Sequence, residues 1–163
     1  MVCAKDATPE EAKRFGEELA KVRSTPTGDA FFNLLNQNHS ATIVIRMNPR
    51  QGQTGVTSVN AQGGSITFRP GMANIDDIAH EFQHAAEGVT GKTDPVIPVS
   101  APTDTDKNGT SQSPECRATR AGNIVRREYK LQNGLSDSPK KTYSYGDKEK
   151  IPVPYPYGPN GPK

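Results

Sequence analysis

The segment that most constrains the fold is an amphipathic helical pattern that carries two histidines. Residues 73–88 read ANIDDIAHEFQHAAEG and contain two of the three histidines in the chain, His80 and His84. Residues four positions apart lie on the same face of a helix. The opposite face is apolar and is formed by Ile75, Ile78, Phe82 and Ala85. We therefore predict a helix over residues 75–87, ended by Gly88, that buries one face and presents both imidazoles to a cleft.

The two histidines flank a glutamate in the order His80-Glu81-Phe82-Gln83-His84, which is the HExxH pattern of zinc peptidases. Imidazole nitrogens at this spacing can converge on one ion at about 2.0–2.1 Å. Glu81 lies to the side, where it can act as the general base toward water. A shuffled chain of this composition would contain the pattern with a probability of about 0.2 percent. The sequence thus predicts a Zn²⁺ site with Glu81 as a catalytic residue, the alternative being histidines that only form local hydrogen bonds.

A catalytic zinc takes three protein ligands and leaves a fourth position for water. The remaining histidine, His39, lies far upstream, and no histidine follows His84. The third ligand must then be a carboxylate or Cys116. Glu87 is a local competitor, but it lies on the same helix as the histidines and has poor reach. Cys116 as a further ligand would instead imply a closed structural site.

Glu115 is the favoured third ligand. It stands near the start of a helix predicted from the Ser-Pro-Glu sequence at 113–115 to about residue 132. Ala118 and Gly122 share its side of that helix, and small residues there allow close packing against the histidine helix. The alternative is a glutamate favoured at a helix start by the helix dipole.

The other patterns predict a small, single-domain α+β protein with a short mixed or antiparallel sheet. Helices are expected at 9–22 and 30–35, and strands at 41–46 and in a hairpin spanning 55–70. Pro70 places the last hairpin strand at or near a sheet edge, where residues 65–69 could pair with an extended substrate. Residues 1–150 are assigned to the domain and 151–163 to a Pro/Gly-rich tail, extended or disordered.

Composition and charge exclude several classes of function. The net charge of +2 is too mild to predict a nucleic-acid partner or a membrane surface, and no apolar run approaches a membrane span. The first residues lack the apolar core of a signal peptide. The two cysteines form no framework and fit a reducing compartment.

The chain resembles the NleD-like effector zinc metallopeptidases, found among injected bacterial virulence effectors and as toxin domains. The matching features are His80-Glu81-x-x-His84-Ala85, the upstream sequence ITFRP, Glu115-x-x-Ala118, Asn123, Arg126, Gly134-Leu135 and a later Lys-x-Tyr143. The resemblance implies a zincin-like fold of the gluzincin type, with zinc held by His80, His84 and Glu115 and with Glu81 as the base. It also implies an injected or secreted effector that acts in the cytoplasm of a target cell.

A site of this kind commonly has a second group that stabilises the oxyanion. Tyr143 is the first candidate, followed by Tyr129, Tyr145 and Arg126. Asp77 either orients a histidine ring or caps the helix start. The expected partners are a protein substrate and a cognate immunity or host protein, with the chain itself a monomer. Two alternatives stay open, a metal-binding module without hydrolytic activity and an α+β adaptor in which the HExxH pattern is a coincidence.

Overall fold

A computed structural model describes residues 2–3, 7–37, 41–96, 114–136, 142–144 and 150–152. The helices are α1 (Pro9–Arg23), α2 (Pro26–Gln37), α3 (Ile75–Thr90) and α4 (Pro114–Gln132). The strands are β1 (Val2–Cys3), β2 (Thr42–Met47), β3 (Gly55–Asn60), β4 (Gly63–Phe68), β5 (Thr142–Ser144) and β6 (Lys150–Pro152).

Four strands form one mixed sheet in the order β1-β2-β4-β3. β2 runs parallel to β1 and β4, whereas β3 and β4 form the predicted antiparallel hairpin. The predicted placement of β4 at or near a sheet edge holds in its second form, because β4 pairs on both sides and lies next to β3, the outer strand in the described part of the chain. Pro70 follows the end of β4, so its missing N–H does not interrupt the strand pairing.

One face of the sheet packs against the helices and forms the core. Ile66 and Phe68 of β4, two positions apart and therefore on the same face of the strand, are fully buried. The ring of Phe68 lies 5.0 Å from that of Phe15 in α1, measured between centroids. On the other side of the core, Phe82 of α3 contacts Phe32 of α2 at 5.9 Å. The α+β prediction is confirmed.

The largest departures from the predicted helix boundaries are at the start of α2 and at the end of α3. α2 begins at Pro26, four residues before the predicted start, because Thr25 Oγ1 accepts a hydrogen bond from the Gly28 N–H at 3.0 Å and so caps the first turn. α3 continues to Thr90 and ends at Gly91, whose φ of 63° is the left-handed conformation typical of a helix C-terminus. Gly88 does not end the helix.

Gly88 has a packing role inside α3. A Cβ at this position would lie 2.3 Å from the carbonyl oxygen of Val59 in β3. The missing side chain therefore lets α3 lie directly against the outer strand of the sheet, and this contact brings the histidine helix and β3 together.

Candidate metal centre

Three predicted ligands meet at one point between α3 and α4. The Nε2 atoms of His80 and His84 are 3.2 Å apart. The Glu115 carboxylate lies 3.2 Å from His80 Nε2 and 3.1 Å from His84 Nε2. Donor atoms bound tetrahedrally to one zinc at about 2.0–2.1 Å would be roughly 3.3 Å apart. The three side chains therefore fit a metal ion in both chemistry and spacing, and this cluster is able to hold one.

Glu115 reaches the histidines because α4 packs closely on α3. Ala118 is fully buried, and a Cβ on Gly122 would lie 2.6 Å from the carbonyl oxygen of Asp76, in the first turn of α3. The predicted use of small residues at this interface is confirmed. Close packing along α4 places its first turn, which contains Glu115, beside the two imidazoles.

The carboxylate of the alternative ligand, Glu87, is hydrogen-bonded to an arginine. Arg117 of α4 donates hydrogen bonds to its carboxylate from Nε at 2.7 Å and from Nη2 at 2.9 Å. Burial raises the pKa of Glu87, but these bonds, together with those from the Asp94 backbone N–H and from Gln83, outweigh burial and hold the pKa below its usual value. Glu87 thus anchors α4 to α3 through Arg117.

A second buried ion pair extends this anchor. Arg120 Nη2 donates to Asp94 Oδ2 at 2.6 Å, and Gln83 Nε2 donates to Asp94 Oδ1 at 2.8 Å. Asp94 lies in the turn after α3 and has a φ of 46°, a left-handed conformation that Asp tolerates better than most residues. Sequence reasoning missed this network. A signal for it in the sequence is the presence of Arg117 and Arg120 beside Ala118 and Ala121 on α4, since all four are buried.

Glu81 faces a cleft between α3 and β3. The cleft has a volume of about 480 Å³ and is lined by both histidines, Glu115 and residues of the outer strand. Glu81 is only 7% exposed, and Thr57 Oγ1 donates a hydrogen bond to its Oε2 at 2.7 Å. Burial raises the pKa of Glu81 above its usual value, and the hydrogen bond from Thr57 opposes that increase. The predicted base and the predicted ligands therefore share one cleft.

The remaining candidates lie elsewhere or beyond the described residues. Tyr129 packs against the core, with Lys21 Nζ 6.0 Å from its ring centroid, and Arg126 pairs with Asp76 at 3.3 Å. Asp77 takes part in a capping box with Asn74, the helix-start alternative of the two predicted for it.

Tyr143 lies in β5, opposite Ile151 of β6, and its side chain is outside the description. His39, Tyr145 and the side chain of Cys116 also lie outside the described residues.

The sequence matches no protein-family model, and neither a curated protein nor a solved structure matches it. Within the described segments, no helix combines the length and the apolar character needed to cross a bilayer.

Proposed function

We propose that this protein is a zinc-dependent endopeptidase of the HExxH type with a zincin-like fold. The observation that carries the proposal is the convergence of His80, His84 and Glu115 in the same cleft as the buried carboxylate of Glu81. If the two histidines shared a solvated helix face only by chance, no carboxylate from a second helix would be expected within hydrogen-bonding distance of both rings. Two nitrogen ligands and one carboxylate oxygen form a ligand set that catalytic zinc uses.

The side chains have distinct roles in the proposed reaction. When bound, zinc supplies Lewis acidity, which makes water more acidic and polarises a peptide carbonyl. Glu81 accepts the proton of the attacking water and then transfers it to the leaving amine. Its raised pKa suits this role, since a base is most effective when its pKa approaches the working pH. Glu115 is 53% exposed, which leaves one side of the cluster accessible to water and substrate.

The substrate class follows from the strand beside the cleft. β3 is the outer strand of the sheet in the described residues and runs along the cleft, so it replaces the predicted segment 65–69 as the place where an extended chain could add to the sheet. Strand addition recognises the peptide backbone more than the sequence. An unfolded protein segment or an extended loop fits this surface.

The biological setting rests on the resemblance to NleD-like effectors. In that setting the enzyme is an effector or toxin domain that is secreted or injected and cleaves a protein in the cytoplasm of a target cell. A cognate immunity or host protein would then be a further partner, and the enzyme would act as a monomer. Tyr143 stays the first candidate for stabilising the oxyanion. The roles proposed for the three ligands and for Glu81 do not depend on it.

The test is proteolysis by the zinc-loaded protein on a panel of denatured proteins. Glu81→Ala should abolish cleavage while the protein still binds one zinc by elemental analysis, and Glu17→Ala, which changes an exposed glutamate of α1, should cleave as the wild type does. Zinc binding without any cleavage would favour a non-hydrolytic module. Absence of zinc binding would reduce the HExxH pattern to a coincidence.

A second measurement identifies the ligands directly. An anomalous-scattering map at the zinc edge should place the ion between His80 and His84, with Glu115 as the third protein ligand. An ion enclosed by four protein side chains would contradict a catalytic site, because no position would be left for water.

A further inference from the structure

Alternate residues of β3 point toward α3 and contact that helix at two places, Glu81 and Gly88. Along the strand, Gly55, Thr57 and Val59 are half-buried, while the residues between them are exposed. Val59 meets α3 at Gly88, and the other two meet it at Glu81. The general base of the proposed reaction is thus in contact with two consecutive inward positions of the outer strand.

Thr57 holds one oxygen of the Glu81 carboxylate. Its hydroxyl lies 2.7 Å from Glu81 Oε2 and 3.2 Å from the backbone carbonyl oxygen of the same residue. A threonine hydroxyl has one hydrogen to donate, and the shorter contact to a charged acceptor is the stronger one. Within the described residues no side chain donates to Oε1, so that oxygen is left to exchange a proton in the cleft.

Gly55 bounds the carboxylate from the other side. A Cβ there would lie 2.6 Å from Glu81 Cγ and 2.8 Å from its Oε1. Gly55 has an ordinary strand conformation with negative φ, so an alanine would fit the backbone, and the three atoms nearest to its Cβ would all belong to Glu81. The carboxylate therefore occupies a space set by a missing side chain at one strand position and a hydroxyl at the next inward position.

We propose that Thr57 is a positioning residue that fixes the orientation of the Glu81 carboxylate for proton transfer, in a space that Gly55 keeps open. This inference rests on the proposed endopeptidase function and adds a residue to its machinery. Because Thr57 belongs to the strand on which the substrate would lie, the orientation of the base is tied to the position of the substrate backbone. Neither residue is part of the HExxH pattern.

The kinetic test compares two substitutions at one position. Thr57→Val keeps the shape but removes the hydroxyl, and we expect kcat to fall by about 10- to 100-fold with little change in KM, since a small misplacement of a catalytic group can cost two orders of magnitude. Thr57→Ser restores the hydroxyl and should recover most of kcat. Thr42→Val, which removes an exposed hydroxyl from β2 outside the cleft, is the matched control and should behave as the wild type does.

A structural readout tests the same inference without any activity. Crystal structures of zinc-loaded Thr57→Val and Gly55→Ala should show the Glu81 carboxylate displaced from its wild-type orientation, while the histidines keep their places and zinc affinity by chelator competition is unchanged. If the wild type cleaves nothing, the proposed function fails, but the orientation of Glu81 in these crystals still decides the role of Thr57.

Three results would overturn the inference. The first is a Thr57→Val enzyme with wild-type kcat, and the second is a Thr57→Ser enzyme as impaired as Thr57→Val. The third is a Thr57→Val crystal in which Glu81 superimposes on the wild type.

Discussion

The buried pair between Asp94 and Arg120 offers the sharpest test of how α4 is held in place. The side chains of the pair are 3% and 1% exposed. Asp94→Asn removes the charge and keeps the shape, and asparagine also tolerates the left-handed backbone of this position. The guanidinium of Arg120 is then left buried without its carboxylate partner. Removal of one member of a buried ion pair costs about 3–5 kcal/mol, which corresponds to about 6–20 °C in Tm for a chain of this size.

The double variant, Asp94→Asn with Arg120→Met, separates the energy of the ion pair itself from the effect of losing each side chain alone. Arg120→Met alone leaves the Asp94 carboxylate buried, with the Gln83 amide still donating to it at 2.8 Å. In the double variant neither charge remains, so the loss should be smaller than the sum of the single losses by about 1–3 kcal/mol.

Urea unfolding followed by circular dichroism gives the three free energies of unfolding, in the absence of metal. Lys21→Met is the control, because Lys21 is 38% exposed in its pair with the half-buried Glu18, and ion pairs open to solvent contribute about 1 kcal/mol or less. Strictly additive losses, or single losses below about 0.5 kcal/mol, would refute the reasoning.

Three further predictions concern the metal, the acid dependence and the helix contact. Removing the ion with a chelator should lower Tm, because an ion present at 100 times its Kd stabilises the folded state by about 2.7 kcal/mol. Adding zinc back should restore Tm. The Tm of a variant without the two histidines should not respond to either treatment. Glu87→Gln should be less stable than wild type at neutral pH. Because the folded-state pKa of Glu87 lies below its usual value of 4.5, the wild type loses this contribution as pH falls below 4.5, and unfolding curves across pH should converge there. The side chain of Gly122→Val should collide with the Asp76 carbonyl and lower the free energy of unfolding by about 1–3 kcal/mol. The same variant should bind zinc more weakly in a calorimetric titration. The control Gly16→Ala, on the open side of α1, should not lower the free energy of unfolding.

Local patterns were enough to predict the histidine helix and its partner. The apolar stripe of Ile78 and Phe82 and the small residues of α4 act over one or two turns, and the structure agrees with both. The choice of Glu115 over Glu87 also followed from reach along a helix, and the arrangement of donor atoms supports that choice.

Strand order was not accessible to the same reasoning. Pro70 predicts a strand at or near an edge, and β4 does lie next to the outer strand. Because Pro70 stands beyond the end of β4 and leaves its pairing intact, it does not identify β3 as the outermost strand. Which strand is outermost depends on contacts between segments far apart in sequence, and periodicity carries no information on them. The hydrogen bond from Thr57 to Glu81 was missed for the same reason, since it joins a strand to a helix across 24 positions of sequence.

The uneven exposure of the three ligands has a kinetic consequence. The histidines are 24% and 19% exposed and belong to a helix packed on the sheet, whereas Glu115 is 53% exposed and stands in the first turn of its helix. Helix ends fray far more readily than packed helix centres unfold. An ion would therefore enter and leave when the first turn of α4, which carries Glu115, opens transiently. Its residence time would be governed by how often that turn unwinds.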